Sequence, residues 1–402
     1  MDSCQRLLIA VSLLTSAVPL MAQQPDTTKS IAAGEVPTTV VRTDSTAASP
    51  AADSSAHVGT SLFGVKLGGF AEASYVYANH PVGHTVVGRL YDRFPNTFTL
   101  NALKLWLDRP YAADKFDAGF HADVIFGQNA KVLQSAGFDL GDQGDVTQLY
   151  VTLNVPTPNG NGLQFKVGKM VTLMGLEVIE SYANPNWSEG NQFVYVENFT
   201  QLGVSAEYRF NKHVDAQLRV FNGWDQVEDL NTHQSFMGRV GIAPDDVTSI
   251  ALLGYIGPEE ADNNSALRKG AEVLLSRKFG KSTAWLQGDY GTEDANAALP
   301  DPTKDASWWA IGGWYAVDLH PALSLGLRGD YLDDKEGART AGAFALESPA
   351  EQQLWTGTVT LGVKSWANLL LRPEIRYDHS NLEVFDGNKD QMTVALSTTF
   401  IF

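Results

Sequence analysis

Forty-six carboxylates, 29 lysines and arginines, eight histidines and one cysteine are the groups in this sequence that could do chemistry. Covalent catalysis needs a nucleophile, a base and an orienting group that converge. His57, His80, His84, His213, His233, His320 and His379 fall mostly in segments with the composition of loops or turns. Only His121 is a candidate for an inward-facing position, with Asp117 and Asp123 near it on the same face, and no serine-bearing motif accompanies them. It reads as a hydrogen-bonded wall residue, and the chain as a non-enzyme. His80 and His84 share one connection and could touch a metal, but no second pair joins them, so neither metal nor cofactor is expected. What remains is patterned charge. Glu177, Glu180, Glu189 and Glu197 crowd one connection, while Arg209, Arg219, Arg328, Arg372 and Arg376 sit in alternating segments. Asp289, Asp330 and Asp378 each precede or follow a tyrosine, twice as Gly-Asp-Tyr. Charges so arranged could sort ions and orient dipolar solutes.

Positioning such groups calls for strands. Gln391 to Phe402 alternates Met392, Val394, Leu396, Thr398, Phe400 and Phe402 with smaller polar or aliphatic residues, a period of two that separates two faces. Similar segments recur near 64–79, 96–108, 116–127, 145–156, 162–172, 201–211, 214–224, 234–243, 247–257, 267–279, 283–291, 306–318, 322–332, 352–365, 368–378 and 391–402. The connections between them are sorted by parity. Tight turns such as TPNGN, GKS and LHP alternate with long stretches at 80–95, 128–144, 173–200, 225–233, 258–266, 292–305, 333–351 and 379–390. Short periplasmic turns and long outer loops produce that alternation, whereas a soluble sandwich has no reason to. The fold predicted is all-β: a transmembrane antiparallel up-and-down barrel of about sixteen strands over residues 61–402.

The start of the chain, with Arg6 and an apolar run from Leu7 to Leu14, reads as a signal peptide over 1–22, and residues 23–60, rich in Thr, Ser, Ala and Pro, as a disordered periplasmic linker. The lone Cys4 precedes the apolar run and is not placed as a lipid-attachment site. A formal net charge of −17 excludes a nucleic-acid partner, which would select a basic footprint. Mean hydropathy is −0.14, so any membrane face must be hidden by alternation.

Aromatic residues reinforce this reading. Tyr75, Tyr77, Phe126, Trp224, Tyr255, Tyr290, Tyr331 and Tyr377 lie near one end of the segments; Trp106, Phe116, Tyr208, Phe210, Phe279, Tyr315, Trp366, Phe400 and Phe402 lie near the other. Two interfacial girdles are expected of a barrel in lipid. Parity then points Glu72, Asp117, His121, Asp123, Lys166, Glu207, Asp215, Asp289 and the five arginines inward, toward a water-filled lumen. Lys104 and Lys169 break the phase of their segments, as a β-bulge would cause. Connection 173–200 is too apolar for a solvated tip and is expected to fold into the lumen, setting its four glutamates against the five arginines as a transverse field. Asp289, Asp330 and Asp378 would form an acidic outer mouth and a mild cation preference.

The blocks GFAEASYVY, FHADVIFG, DVTQLYVTLNVP, GLQFKVGKMVTLMGLEVIES and VFNGWDQVEDLN, with the terminal TTFIF, resemble the OmpL-like β-barrel porin-2 family. The resemblance implies a porin in the outer membrane of a Gram-negative-type bacterium, admitting small hydrophilic solutes and ions by passive diffusion. Phe400 and Phe402 would be the signal read by the barrel-assembly machinery. Outer-membrane lipid and lipopolysaccharide are the surroundings so implied, and a homotrimer is one assembly the reading allows. The alternative is a structural or adhesive barrel without significant permeability.

Overall fold

The structure, a computed structural model, describes residues 61–402 apart from 63, 139, 140, 142, 159, 345 and 367. The signal-peptide and linker segments lie outside the described residues.

Lipid offers no hydrogen bonds, so a chain of alternating half-apolar strands buries its backbone polarity only by closing on itself. That closure is complete. A two-residue strand, β1 (Ser61–Leu62), pairs with the start of β2 (Val65–Ala78). There follow β3 (Thr97–Arg109), β4 (Asp117–Phe126), β5 (Gly144–Val155), β6 (Leu163–Val171), β7 (Thr200–Arg209), β8 (Val214–Phe221) and β9 (Ser235–Asp245). The second half comprises β10 (Thr248–Pro258), β11 (Leu267–Phe279), β12 (Ser282–Glu293), β13 (Ala306–His320), β14 (Leu323–Asp334), β15 (Gln352–Trp366), β16 (Leu369–Ser380) and β17 (Asp390–Ile401). Each strand pairs antiparallel with its sequence neighbours, and β17 returns to β2 from Thr393↔Ala78 to Ile401↔Phe70. Phe402 finishes the seam, its N–H donating to the Gly69 carbonyl at 2.9 Å. Strands β2 to β17 thus form a sealed ring of sixteen, matching the alternating segments one for one.

The ring is apolar outside and polar inside. Leu327, Val359 and Ile375 are register partners on β14, β15 and β16, and all three are exposed. One residue along, Arg328, Thr358 and Arg376 are likewise partners, and all are buried. An arginine at Val359 would put its charge in hydrocarbon at the middle of β15. Val359→Arg should therefore cost ~2–4 kcal/mol in reversible unfolding from lipid bilayers; no loss would mean that this face does not meet lipid.

Connections 110–116, 156–162, 210–213 and the tighter turns after β9, β11, β13 and β15 gather at one end. Loops 79–96, 127–143, 172–199, 222–234, 259–266, 294–305, 335–351 and 381–389 gather at the other. The long-loop end is not a bare rim. Val87, Tyr195, Trp308, Phe344 and Phe385, from four loops and β13, bury one another in an apolar cluster. Arg339 stands over both the Trp308 and Trp224 rings, at 5.3 and 5.5 Å. Among the described residues, no helix is long and apolar enough to cross a membrane.

Three aromatic assignments need correction. Trp106, Trp224 and Tyr255 are buried, not on the outer face with Phe116, Phe210, Tyr290 and Tyr377. For Trp106 the reason is the bulge that Lys104 hinted at. Glu72 pairs with Ala102 but Ala73 with Leu100, so Asn101 is the extra residue. Asn101 and Ala102 are both fully buried, and from there the phase of β3 inverts. Lys169 follows Gly168, whose φ of +139° and contact with the Leu149 carbonyl leave no room for a Cβ. It pairs with Asp145 at 3.2 Å.

Candidate functional site: the lumen and the loop across it

Loop 172–199 leaves β6, crosses to the opposite wall and returns to β7, and its contacts trace that path. Near its start, the Gly175 N–H donates to Glu272 on β11 at 2.8 Å and the Leu176 N–H to Gln287 on β12 at 2.9 Å. Glu177 then meets Arg328 of β14 at 2.8 Å and accepts from the Trp314 indole of β13 at 3.1 Å. The Trp187 and Ser188 N–H groups donate to Glu374 of β16 at 2.7 and 3.2 Å. Glu72 of β2 takes the Ser181 hydroxyl at 2.5 Å and the Trp187 indole N–H at 3.2 Å. Gly326 on β14 has no side chain because the Pro185 carbonyl occupies that space; a Cβ would lie 2.1 Å from it. Every one of these partners points inward, so residues 172–199 lie inside the ring. A segment this polar can be buried because wall side chains receive its backbone N–H groups.

Of the loop acids, Glu177 pairs with Arg328 and Glu180 with Lys104, which also holds Asp123 at 3.0 Å. Glu197 accepts from the Gln287 amide at 2.8 Å. Neither carboxylate oxygen of the buried Glu189 has a hydrogen-bond partner; burial, with Asp92 and Glu177 nearby, pushes its carboxyl well above the usual range. Of the wall arginines, Arg372 pairs with Glu72 at 3.2 Å and donates to the Ser181 carbonyl at 2.6 Å. Arg376 pairs with Asp378 at 2.8 Å and donates to the Glu189 carbonyl at 2.5 Å. Arg219 reaches Gln201 and the Val171 carbonyl, both at 2.6 Å, at the root of the loop. Arg209 stands apart, half-buried near the short-turn end.

The arginines therefore do not form one basic wall facing the acids across a gap. Arg328, Arg372 and Arg376 are interleaved along β14 and β16 with Asp330, Glu374 and Asp378, and meet their counter-charges directly. The acidic mouth needs the same correction. Asp330 and Asp378 are buried, with Arg328 at 3.3 Å and with Arg376 and the loop's Arg89, respectively. Asp289 is buried under the Gln192 amide at 2.5 Å. Among the described residues, the acids exposed in the long loops are instead Glu228, Asp262, Asp301, Asp305, Glu347, Glu351, Glu383 and Asp386. Sequence reasoning missed Arg89, which reaches Asp92, Asp378 and Thr393 from loop 79–96, since a loop has no parity to read.

His121 lies between Asp108 and Asp123, at 3.4 Å from each, and stacks on Tyr150. Among the described residues no group of three or more His, Cys, Asp or Glu is arranged to hold a metal.

A sealed ring with a lipid-compatible exterior and an ion-paired interior defines an outer-membrane channel barrel. Residues 64–402 match the family described as putative beta-barrel porin-2, OmpL-like, and the chain belongs to it. It is a porin-family protein of the bacterial outer membrane. No curated protein matches the sequence. Among solved structures, the outer-membrane channel DcaP of Acinetobacter baumannii is 12% identical with a TM-score of 0.58, covering 84% of this chain and 97% of its own. The trimer form of OmpT from Vibrio cholerae is 11% identical with a TM-score of 0.57, covering 84% and 99%. OprB of Pseudomonas putida is 11% identical with a TM-score of 0.53, covering 84% and 94%. At such identities the likeness is one of fold.

Proposed function

We propose that this barrel is a passive diffusion channel for small hydrophilic solutes and ions, narrowed by loop 173–200 and mildly cation-preferring. The observation that carries it is the inward wall of charges on which the loop is hung. A barrel built only as an anchor has no use for ion-paired side chains in its interior, which are weak sources of stability. The cation preference rests on the formal charge of −17 and on the exposed acids of the long loops. His121, held between two aspartates with no nucleophile beside it, supports a structural role and no enzymatic one. The surroundings would be outer-membrane lipid and lipopolysaccharide. Phe400, exposed on the outer face, and Phe402, in the closing seam, would be read by the barrel-assembly machinery. A homotrimer is the proposed assembly, one form in which OmpT has been described.

Refolded protein in liposomes tests this reading. Swelling in small sugars, with a reversal potential in a salt gradient of the sign for cations, is expected. An impermeable barrel would favour adhesion or anchoring, and an anion-selective potential would overturn the cation preference.

A further inference from the structure

Loop 172–199 meets the wall through two ion pairs, at Glu177 and Glu180, and many hydrogen bonds to its backbone, but one anchor is built differently. Glu272 on β11 and Asp289 on β12 are direct register partners, both inward and both buried. Two carboxyl groups thus lie side by side on neighbouring strands and out of water, an arrangement that two negative charges would oppose. Glu197 on the loop brings a third buried carboxyl to the pair, since the Gln287 amide donates both to Glu197 at 2.8 Å and to Asp289 at 3.2 Å. One oxygen of Glu197, Oε2, and one of Asp289, Oδ1, have no hydrogen-bond partner. The loop hangs on this group by four contacts. The Gly175 N–H donates to Glu272 at 2.8 Å and the Gln192 amide to Asp289 at 2.5 Å. The Gln287 amide joins Glu197 at 2.8 Å to the Leu176 N–H at 2.9 Å.

No basic side chain neutralises the cluster. Glu177, Glu180 and Glu72 have Arg328, Lys104 and Arg372, but among the described residues Glu197, Glu272 and Asp289 have no ion-pair partner. The groups facing them are Glu177 and Gln192 from the loop, Gln287 from β12 and Tyr255 from β10. Two cations reach Tyr255. Arg268 of β11 is held by Glu293 at 2.7 Å, and Arg339 is stacked on Trp224 and Trp308.

We infer that Glu197, Glu272 and Asp289 form a proton-operated latch, which holds loop 172–199 across the lumen at acid pH and releases it as pH rises. The inference rests on that loop being the constriction. Like charges directly opposite on adjacent strands repel, and the repulsion grows when the pair is shielded from water. Swinging the loop away removes the third charge and lets water reach the other two.

The sign follows from linkage. Burial, with Asp289 next to it, pushes the Glu197 carboxyl well above its ordinary range when the loop is docked. The docked state thus binds protons more tightly than the undocked one. Its advantage is fully present below the ordinary carboxyl value of ~4.3 and is lost as pH rises through the raised value.

Single-channel recording from about pH 4 to about pH 8 tests the latch. Conductance is expected to be low at acid pH and to rise several-fold toward neutrality. Glu197→Gln and Asp289→Asn replace a charge by a neutral group of the same shape, so each should keep conductance low across the range. A flat wild-type profile overturns the latch, as does a profile that Glu197→Gln leaves unchanged or that only Glu189→Gln flattens. Deleting 178–196 separates this result from the constriction itself. A deletion variant with unaltered conductance removes the constriction reading, whereas an enlarged pore beside a flat wild-type profile removes only the latch.

Discussion

Deletion of residues 178–196 should raise single-channel conductance several-fold. No residue of this segment is exposed, and Trp187, Phe193 and Tyr195 are each under a tenth exposed. The strands do not need it to close. β6 and β7 pair from Leu163↔Tyr208 to Val171↔Thr200 without help from the segment between them. Once it is gone, Glu72, Glu374, Arg328 and Arg372 lose loop partners but gain water, and wall charges with access to water are cheap to keep. The deletion should thus yield a folded, wider pore. An unchanged conductance in a protein that still runs as a closed barrel would show that ions pass elsewhere than beside this loop.

The second large effect is on stability. Arg328 touches the Glu177 carboxylate at 2.8 Å, the Asp330 carboxylate at 3.3 Å and the Thr358 hydroxyl at 2.9 Å, and also holds the Ser188 carbonyl. Its side chain and those of both acids are essentially inaccessible to solvent. Arg328→Met keeps the bulk and strands two buried carboxylates. Breaking a buried pair from one side costs ~3–5 kcal/mol, because the remaining charge is uncompensated. Equilibrium unfolding in detergent or lipid should register that loss. Arg209→Met, at a half-buried position near the short-turn end, should stay within ~1 kcal/mol. Equal losses at both sites would show that Arg328 is not the keystone of the loop's docking.

Much of the fold was legible because a strand in lipid has little freedom. Each side chain meets either hydrocarbon or the lumen, and the residue after it meets the other. Leu149, Val151 and Val155 against Gln148, Tyr150, Thr152 and Asn154 are readable on sight, and the structure exposes the first set and buries the second. Local phase breaks were half legible. Lys104 announced that β3 slips, but only the pairing of Glu72 with Ala102 and of Ala73 with Leu100 located the extra residue at Asn101. Aromatic character misled at Trp106, Trp224 and Tyr255, since a ring serves a buried core as well as an interface.

What the sequence determined by itself is therefore the sealed ring, its sixteen strands, the face of nearly every strand residue and the end at which the long loops gather, because all of these follow from a period of two repeated around a cylinder. What only the tertiary structure decided is the wiring of the lumen: that Glu177 finds Arg328, that Glu180 finds Lys104 instead of an arginine, that Arg89 reaches Asp378, and that Glu197 joins two strand carboxyls with no cation among them. An irregular loop has no period, so nothing in its order says which wall residue each side chain will meet. Those contacts are set by the path the chain takes across the barrel.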